Sequence, residues 1–306
     1  MAEYRVSVIV VSYNTREKLR QCLTCIEPEH EVIVVDNAST DGSPEMVRKD
    51  FPTANLITNS ENRGFGPANN QGLDVMSGKL ALFLNSDCYA DPGAIGRLAA
   101  VFESDAVVAA GGRLRNPDGS HQLSLAKKLT LWHVFLEQSF LDLLLRPFGL
   151  GYWVTTDFPR RTSVPQVMGA CLMIRPVVRF DERFFMYCED TDLCTRLRHH
   201  GKIVYEPTAE FIHELGSSSV GVGRWKSVAR YNRGKELYFQ IHRGIAAAWF
   251  CLVLNRLGAL LRLMIWSVAT LVTLGLVARF RQRSALFARV LTAPKLGPDH
   301  GLHTRR

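Results

Sequence analysis

Apolar residues along the chain keep two different rhythms. Through the first two thirds, runs of about five to seven apolar residues are stopped by clusters of Asn, Asp, Ser, Thr and Gly, with polar stretches of helical length between them. Runs that short, bounded by turn residues, predict strands buried on both faces. They are Val6 to Ser12, Glu31 to Val35, Ala54 to Thr58, Leu80 to Leu84, Ala106 to Ala110, Val167 to Ile174 with Gly169 inside it, Lys202 to Tyr205, and Ala209 to His213. A polar helix is expected after the first of them, with Thr15 as its N-cap. Strand, helix and strand in succession form a βαβ unit, so the sheet begins parallel.

Later segments break this rhythm. From Ser124 to about Leu145, Leu125, Leu129, Trp132, Leu136, Phe140 and Leu143 recur at helical spacing, which predicts a helix that either packs on the sheet or touches a membrane or acceptor. Gly149 to Pro165 reads as an irregular substrate loop. Ile245 to Ala278 is apolar but interrupted by Asn255, Arg256 and Arg262, and its longest charge-free run, Leu263 to Ala278, is sixteen residues. A spanning helix needs about twenty, so surface-lying or re-entrant helices are expected, with a single span as the alternative. The pattern divides the chain into an α/β domain over 1–220, a membrane-associating helical region over 221–295 and a disordered tail over 296–306.

Charge sharpens that division. Residues 1–220 carry 22 Lys and Arg against 27 Asp and Glu, whereas 221–306 carry 15 against 2. A basic, apolar tail suits an anionic lipid surface. Arg256 and Arg262 lie inside apolar segments instead of forming an aromatic-interleaved basic face, which argues against nucleic acid as a partner. Seven cysteines without framework spacing, including a lone Cys22–Cys25 pair, read as reduced thiols. Val6 to Val11 is too short for a signal segment and reads as the first strand.

The candidate chemistry sits where the apolar runs stop. Leu80 to Leu84 delivers Asn85-Ser86-Asp87 to a sheet edge, and ligands of open α/β sheets bind at the carboxyl ends of strands. A carboxylate there can hold a hard cation, which in turn neutralises a diphosphate. Asp36 ends the second run and serves either a ligand or an Asx turn; Asp41 shares that work or caps a helix. Gly64-Phe65-Gly66 lacks the third glycine and the first-turn position of a dinucleotide fingerprint, which makes a dehydrogenase reading weak. Glu189, Asp190 and Asp192 crowd a helix start, where the helix dipole alone explains acids. Asp192 and Arg196 are spaced for an i,i+4 ion pair.

Six motifs stand in one order: Val-Ser-Tyr-Asn at 11–14, Asp36 to Ser43, Asn62 to Gly72, Leu84 to Asp87, Gly169 to Arg175, and Glu189 to Leu193. Together they resemble glycosyltransferase family 2, inverting nucleotide-sugar enzymes of the GT-A fold, and within it a bacterial rhamnosyltransferase-like branch. The resemblance implies nucleoside contacts at Ser12, Tyr13 and Asp36, and diphosphate or sugar contacts at Asn62, Gly66, Asn85 and Ser86. It implies Mg2+ or Mn2+ at Asp87 and His213, with Asn85 as a neutral first position of a DxD-like element. Asp190 matches the family's base, with Glu189 as alternate. The implied function is transfer of a sugar, with L-rhamnose from dTDP-rhamnose foremost, to a lipid-linked or polysaccharide acceptor in cell-envelope glycan synthesis at the cytoplasmic face of the membrane. The alternatives are a UDP-sugar-dependent transferase of the same family and a non-catalytic, membrane-attached nucleotide-sugar-binding protein.

Overall fold

A computed structural model describes residues 6–214 and 224–293. The expected domain end near Ser219 and the tail over 296–306 lie outside the described residues. The chain runs β1 (Val6–Ser12), α1 (Arg16–Thr24), β2 (Glu31–Asp36), α2 (Ser43–Asp50), β3 (Asn55–Thr58), α3 (Phe65–Val75), β4 (Leu80–Asn85), β5 (Cys88–Ala90), α4 (Ala94–Ala99) and β6 (Val107–Arg115). It continues with β7 (Leu125–Ala126), α5 (Leu131–Gln138), α6 (Leu141–Leu145), β8 (Thr162–Ser163), β9 (Gln166–Val167), β10 (Cys171–Ile174), α7 (Glu189–Leu197) and β11 (Lys202–His213). Three helices follow: α8 (Arg224–Arg243), α9 (Ile245–Val272) and α10 (Ala278–Thr292).

The described residues form two compact units. The first, residues 6–128, 153–185 and 189–214, is built on a mixed sheet in the order β3-β2-β1-β4-β10-β6-β11-β5, with β8 beside β11. From β3 to β4 the pairs are parallel, and β10 is inserted antiparallel between β4 and β6. Strict alternation splits each central strand between two cores. Val6, Val8 and Val10 of β1 and Leu80, Leu82 and Leu84 of β4 enter one core with Leu19 and Met46. Ile9, Ala81 and Phe83 enter the other with Ala68 and Leu193. Both faces are covered, which is why these strands are continuously apolar.

Two strand expectations change. Lys202 to Tyr205 and Ala209 to His213 are one strand, β11, whose register against β6 shifts between Glu206 and Glu210. Such an irregularity bends the strand without ending it. Beyond it, β11 stays paired with β6 and on its other edge pairs antiparallel with β5, setting His213 opposite Cys88. Val167 and Cys171, expected in one strand, belong to two sheets, because Gln166–Val167 pairs with β7.

The second unit, residues 129–152, 186–188 and 224–293, is helical. The single helix expected over 124–145 does not form. Leu125–Ala126 is a strand, and α5 and α6 are separated at Phe140, whose φ is 65°. Within this unit α5 packs against α9, and Gln138 meets the α9 surface at Asn255 and Gly258. The polar interruptions of the apolar segment are packing contacts. Asn255 bonds to Gln138 and Glu236, Arg262 donates to the carbonyls of Glu137 and Gln138 and stacks 4.2 Å from the Phe140 ring, and Arg256 donates to the last carbonyls of α10. Lys235 is fully buried and neutralised by Glu137 at 3.1 Å.

Gly64, which precedes α3, has φ +94°, and a Cβ there would stand 2.4 Å from the Phe185 carbonyl oxygen. Gly64→Ala therefore combines a disfavoured backbone conformation with overpacking. We expect a loss of about 1–3 kcal/mol in urea unfolding; an unchanged midpoint would show that the 62–66 turn tolerates a side chain.

Candidate active site

The parallel registers set three strand ends side by side. Ser12 lies opposite Asp36 and Val11 opposite Asn85. With strands about 4.8 Å apart, β2 and β4 are separated by roughly 10 Å, the span of a nucleoside and its diphosphate. The loops leaving these ends are tied by hydroxyls. Thr15 does not cap α1, as its sequence position suggests; its Oγ1 instead donates to Ser86 Oγ at 2.9 Å and lies 3.2 Å from Ser12 Oγ. The cap comes from Asp41, which accepts from Arg16 N at 2.9 Å and from Ser43 N at 3.1 Å, so it serves two helix starts at once. Non-glycine residues with positive φ follow each motif end, Asn14 at 54° and Ala38 at 66°. Strain of this kind gathers at functional loops.

Asp36 is 1% exposed. Its Oδ1 accepts from Ser39 N at 2.9 Å, while Oδ2 has no partner among the described residues. Burial pushes its carboxyl up, with Asp41 and Glu45 adding to the effect and the Ser39 hydrogen bonds opposing it. A buried acceptor without a donor is costly, and the atom is suited to a ligand N–H or O–H. Neighbouring Asn37 is committed to structure, donating to the Gly64 carbonyl at 3.0 Å.

Past β4, Asp87 is buried with Oδ1 3.4 Å from His213 Nε2. Asn85 Nδ2 lies 3.2 Å from the same nitrogen. The β5–β11 pairing makes this possible, since His213 is opposite the residue after Asp87. On its far side His213 Nδ1 lies 2.7 Å from Gln122 Oε1. One carboxylate and one imidazole fit a divalent cation that takes its remaining ligands from phosphate oxygens and water. Among the described residues no group of three or more His, Cys, Asp or Glu forms a metal cage.

Asp190 opens α7 with Glu189, which is buried. Its Oδ2 accepts from Gly169 N at 3.0 Å and its Oδ1 from Thr191 N at 2.7 Å. The next carbonyl after Gly169, that of Ala170, accepts from Asn85 N at 3.0 Å. Two hydrogen bonds thus tether Asp190 beside the Asn85–Asp87 turn. Burial pushes its carboxyl up, against the backbone hydrogen bonds that hold it down, giving a carboxylate that is more basic than usual and correctly suited to accept a proton. Asp192 is bonded to Arg196 Nε at 2.9 Å, a structural pair.

The remaining expected residues lie on the same rim with other duties. Asn62 Oδ1 accepts from Gly64 N at 3.0 Å, closing its turn. Tyr13 is half-exposed between Ser12 and Asn14. At Gly66 a Cβ would stand 3.1 Å from Phe180 Cβ, so packing inside the protein accounts for this glycine. Thr15 and Gln122 were not legible as site residues: each acts on a partner 71 or 91 positions away.

The model of "Glycosyl transferase family 2" matches residues 7–175. The chain belongs to glycosyltransferase family 2. This family 2 glycosyltransferase is 30% identical over 240 residues to the N-acetylglucosaminyl-diphospho-decaprenol L-rhamnosyltransferase of Mycobacterium tuberculosis, covering 69% of this chain and 76% of that one. Among solved structures, a mannosyltransferase of Pyrobaculum calidifontis in complex with GDP-Man and Mn2+ matches with TM-score 0.53 at 17% identity, over 94% of this chain and 85% of that one. GalNAc-T7 with UDP, GalNAc and Mn2+ matches with TM-score 0.53 at 13% identity, over 76% and 48%. These likenesses establish the GT-A fold that the sequence motifs imply.

Asp36 gives a prediction with a definite sign. Its carboxyl is raised in the folded state, so its charge opposes folding above that raised value, and the penalty vanishes as pH falls through the ordinary aspartate range. Asp36→Asn in the transferase should raise the melting temperature near pH 7, with the gain shrinking toward pH 4. A variant less stable at pH 7 would show that the charge is compensated.

Proposed function

We propose that this transferase moves a sugar with inversion, L-rhamnose from dTDP-rhamnose foremost, to a lipid-linked glycan acceptor at the cytoplasmic face of the cell membrane. The observation that carries the donor half is the alignment of Ser12, Asp36 and Asn85-Ser86-Asp87 along three adjacent strand ends, with one carboxylate oxygen of Asp36 unpartnered among the described residues. The sugar and acceptor rest on the mycobacterial relative, which is named for rhamnosyl transfer to N-acetylglucosaminyl-diphospho-decaprenol. The two solved neighbours hold GDP-Man in one case and UDP in the other, so the fold itself does not choose the nucleotide. A UDP-sugar donor in the same cleft is the second reading.

In this reading Asp36 accepts from the pyrimidine or ribose, with Ser12 and Tyr13 beside it, and Asn62 and Gly66 border the diphosphate and sugar. Asp87 and His213, with Asn85 adjacent, hold Mg2+ or Mn2+. When bound, that cation offsets charge on the leaving diphosphate. Asp190 takes the proton of the acceptor hydroxyl as its oxygen attacks the anomeric carbon from the face opposite the diphosphate; Glu189 is the alternate base. Ser86, locked by Thr15, keeps the turn that carries Asp87 in place.

The helical unit is assigned to the membrane surface. Trp249, Val253, Leu257, Leu260, Met264 and Val268, spaced by three or four residues, are all exposed on one face of α9. At 28 residues α9 is about 42 Å long and is long and apolar enough to cross a bilayer. Its opposite face, however, is committed to Gln138, Glu236 and α10 through Asn255, Arg256 and Arg262. One apolar face and one committed polar face suit a helix lying in the interface. Arg279, Arg281, Arg283 and Arg289 on α10 supply charge for anionic headgroups.

Asp190→Asn should lower transfer at least a hundredfold while donor affinity, read by calorimetry, changes only a few-fold; loss of donor binding would remove Asp190 from the role of base. Because the carboxylate is the active form and its pKa is raised, the acidic limb of the wild-type rate profile should lie above the ordinary aspartate value of about 3.9. For the membrane assignment, Trp249→Glu combined with Leu257→Glu should abolish sedimentation with phosphatidylglycerol vesicles and leave the circular dichroism unchanged. Undiminished sedimentation would contradict it.

A further inference from the structure

Gln122 belongs to none of the motifs above, yet it is 3% exposed and makes the shortest hydrogen bond to His213. It lies on the loop between β6 and β7, inside a run of polar side chains whose donor and acceptor roles fix one another. The run is anchored on Asp118, a carboxylate that only accepts. Ser120 Oγ donates to Asp118 Oδ1 at 2.6 Å, which leaves the Ser120 oxygen to accept from Asn116 Nδ2 at 2.9 Å. Asn116 therefore presents its Oδ1 to Gln122 Nε2 at 2.8 Å. The second hydrogen of that amide goes to the His213 carbonyl at 2.9 Å, another obligate acceptor. With both N–H groups spent, Gln122 can offer His213 only Oε1, 2.7 Å from Nδ1. The imidazole must then donate from Nδ1, and in a neutral ring that leaves the lone pair on Nε2, the nitrogen that faces Asn85 Nδ2 and Asp87 Oδ1.

We propose that Gln122 is a positioning residue for the divalent cation: the Asp118–Ser120–Asn116–Gln122 relay holds the His213 ring with its hydrogen on Nδ1 and presents Nε2 as a ligand. The inference rests on the reading of His213 as a metal ligand. Outer hydrogen bonds of this type orient the ring of a ligating histidine and raise its basicity, and their loss costs about 10–100-fold in metal affinity. The alternative tautomer would place a hydrogen on Nε2, between the ring and Asp87, and close the site to a cation.

Two measurements on the full chain separate this inference from the reading beneath it. The tautomer of His213 is read without metal by long-range 15N–1H correlation on 15N-histidine protein, the signal being assigned by its loss in His213→Asn. The wild type should show hydrogen on Nδ1; hydrogen on Nε2 overturns the inference whatever the metal does. Affinity for Mn2+ in the presence of dTDP is then titrated calorimetrically. Gln122→Met, close in length but without a hydrogen-bonding amide, should bind Mn2+ about 10–100-fold more weakly than wild type and lose the single tautomer. Unchanged Mn2+ affinity in Gln122→Met, with affinity lost in His213→Asn, overturns the role of Gln122 and keeps that of His213. Unchanged affinity in both variants overturns the metal role of His213 and the inference with it. Should Gln122→Met fail to fold by circular dichroism, the wild-type tautomer decides.

Discussion

β4 cannot slide, and much of the site depends on that. Leu80, Leu82 and Leu84 are buried on one side of it and Ala81 and Phe83 on the other, so a slip of one residue would exchange Leu for Ala and Phe and mispack both cores. Held between parallel β1 and antiparallel β10, the strand ends at a fixed point, and Asn85, Ser86 and Asp87 stand where it ends. Everything placed around Asp87 is bonded to that end. Ala170 takes the Asn85 amide, Gly169 holds Asp190, Thr15 holds Ser86, and β5 brings His213 back from the far side of the sheet.

Around that rigid end the transferase leaves polar groups in conditions that folding alone does not favour. Asp36 is buried with half its carboxylate unpartnered among the described residues, and burial raises Asp190 despite its two backbone donors. Tyr187 and Cys188, immediately before α7, both have positive φ without being glycine. Each departure costs stability, and such departures persist where they serve binding or chemistry. Asp41, Asn37 and Asp192 are equally polar but satisfied by two helix starts, the Gly64 carbonyl and Arg196. The contrast separates candidate ligand contacts from scaffold within one set of motifs.

The sequence made the sheet legible because strands buried on both faces must be apolar throughout; Val6–Ser12 stands as expected and Leu80 to Leu84 extends by one residue. The strand ends carrying Ser12, Asp36 and Asp87 were legible for the same reason. What escaped was decided by contacts remote in sequence. β11 reads as two strands because its bulge places polar residues in mid-strand. The helical spacing over 124–145 is genuine in its parts, but Phe140 turns the chain between them. Asn255 and Arg262 look like flaws in a membrane segment until Gln138 and Glu137 are seen opposite them. Gln122 carries no local signal, because its meaning depends on His213, and Thr15 looks like a cap while Asp41 does the capping.

The central claim is that these strand ends form one site for a nucleotide diphosphate-sugar with a divalent cation. The most direct measurement is the melting temperature of the purified enzyme against dTDP-rhamnose, UDP-sugars and GDP-mannose, each with and without Mn2+ or Mg2+. A donor at a hundred times its dissociation constant stabilises the folded state by about 2.7 kcal/mol. The account predicts a rise with dTDP-rhamnose that requires the metal and is lost in Asp87→Ala. No rise with any donor, or one of equal size in Asp87→Ala, would contradict it.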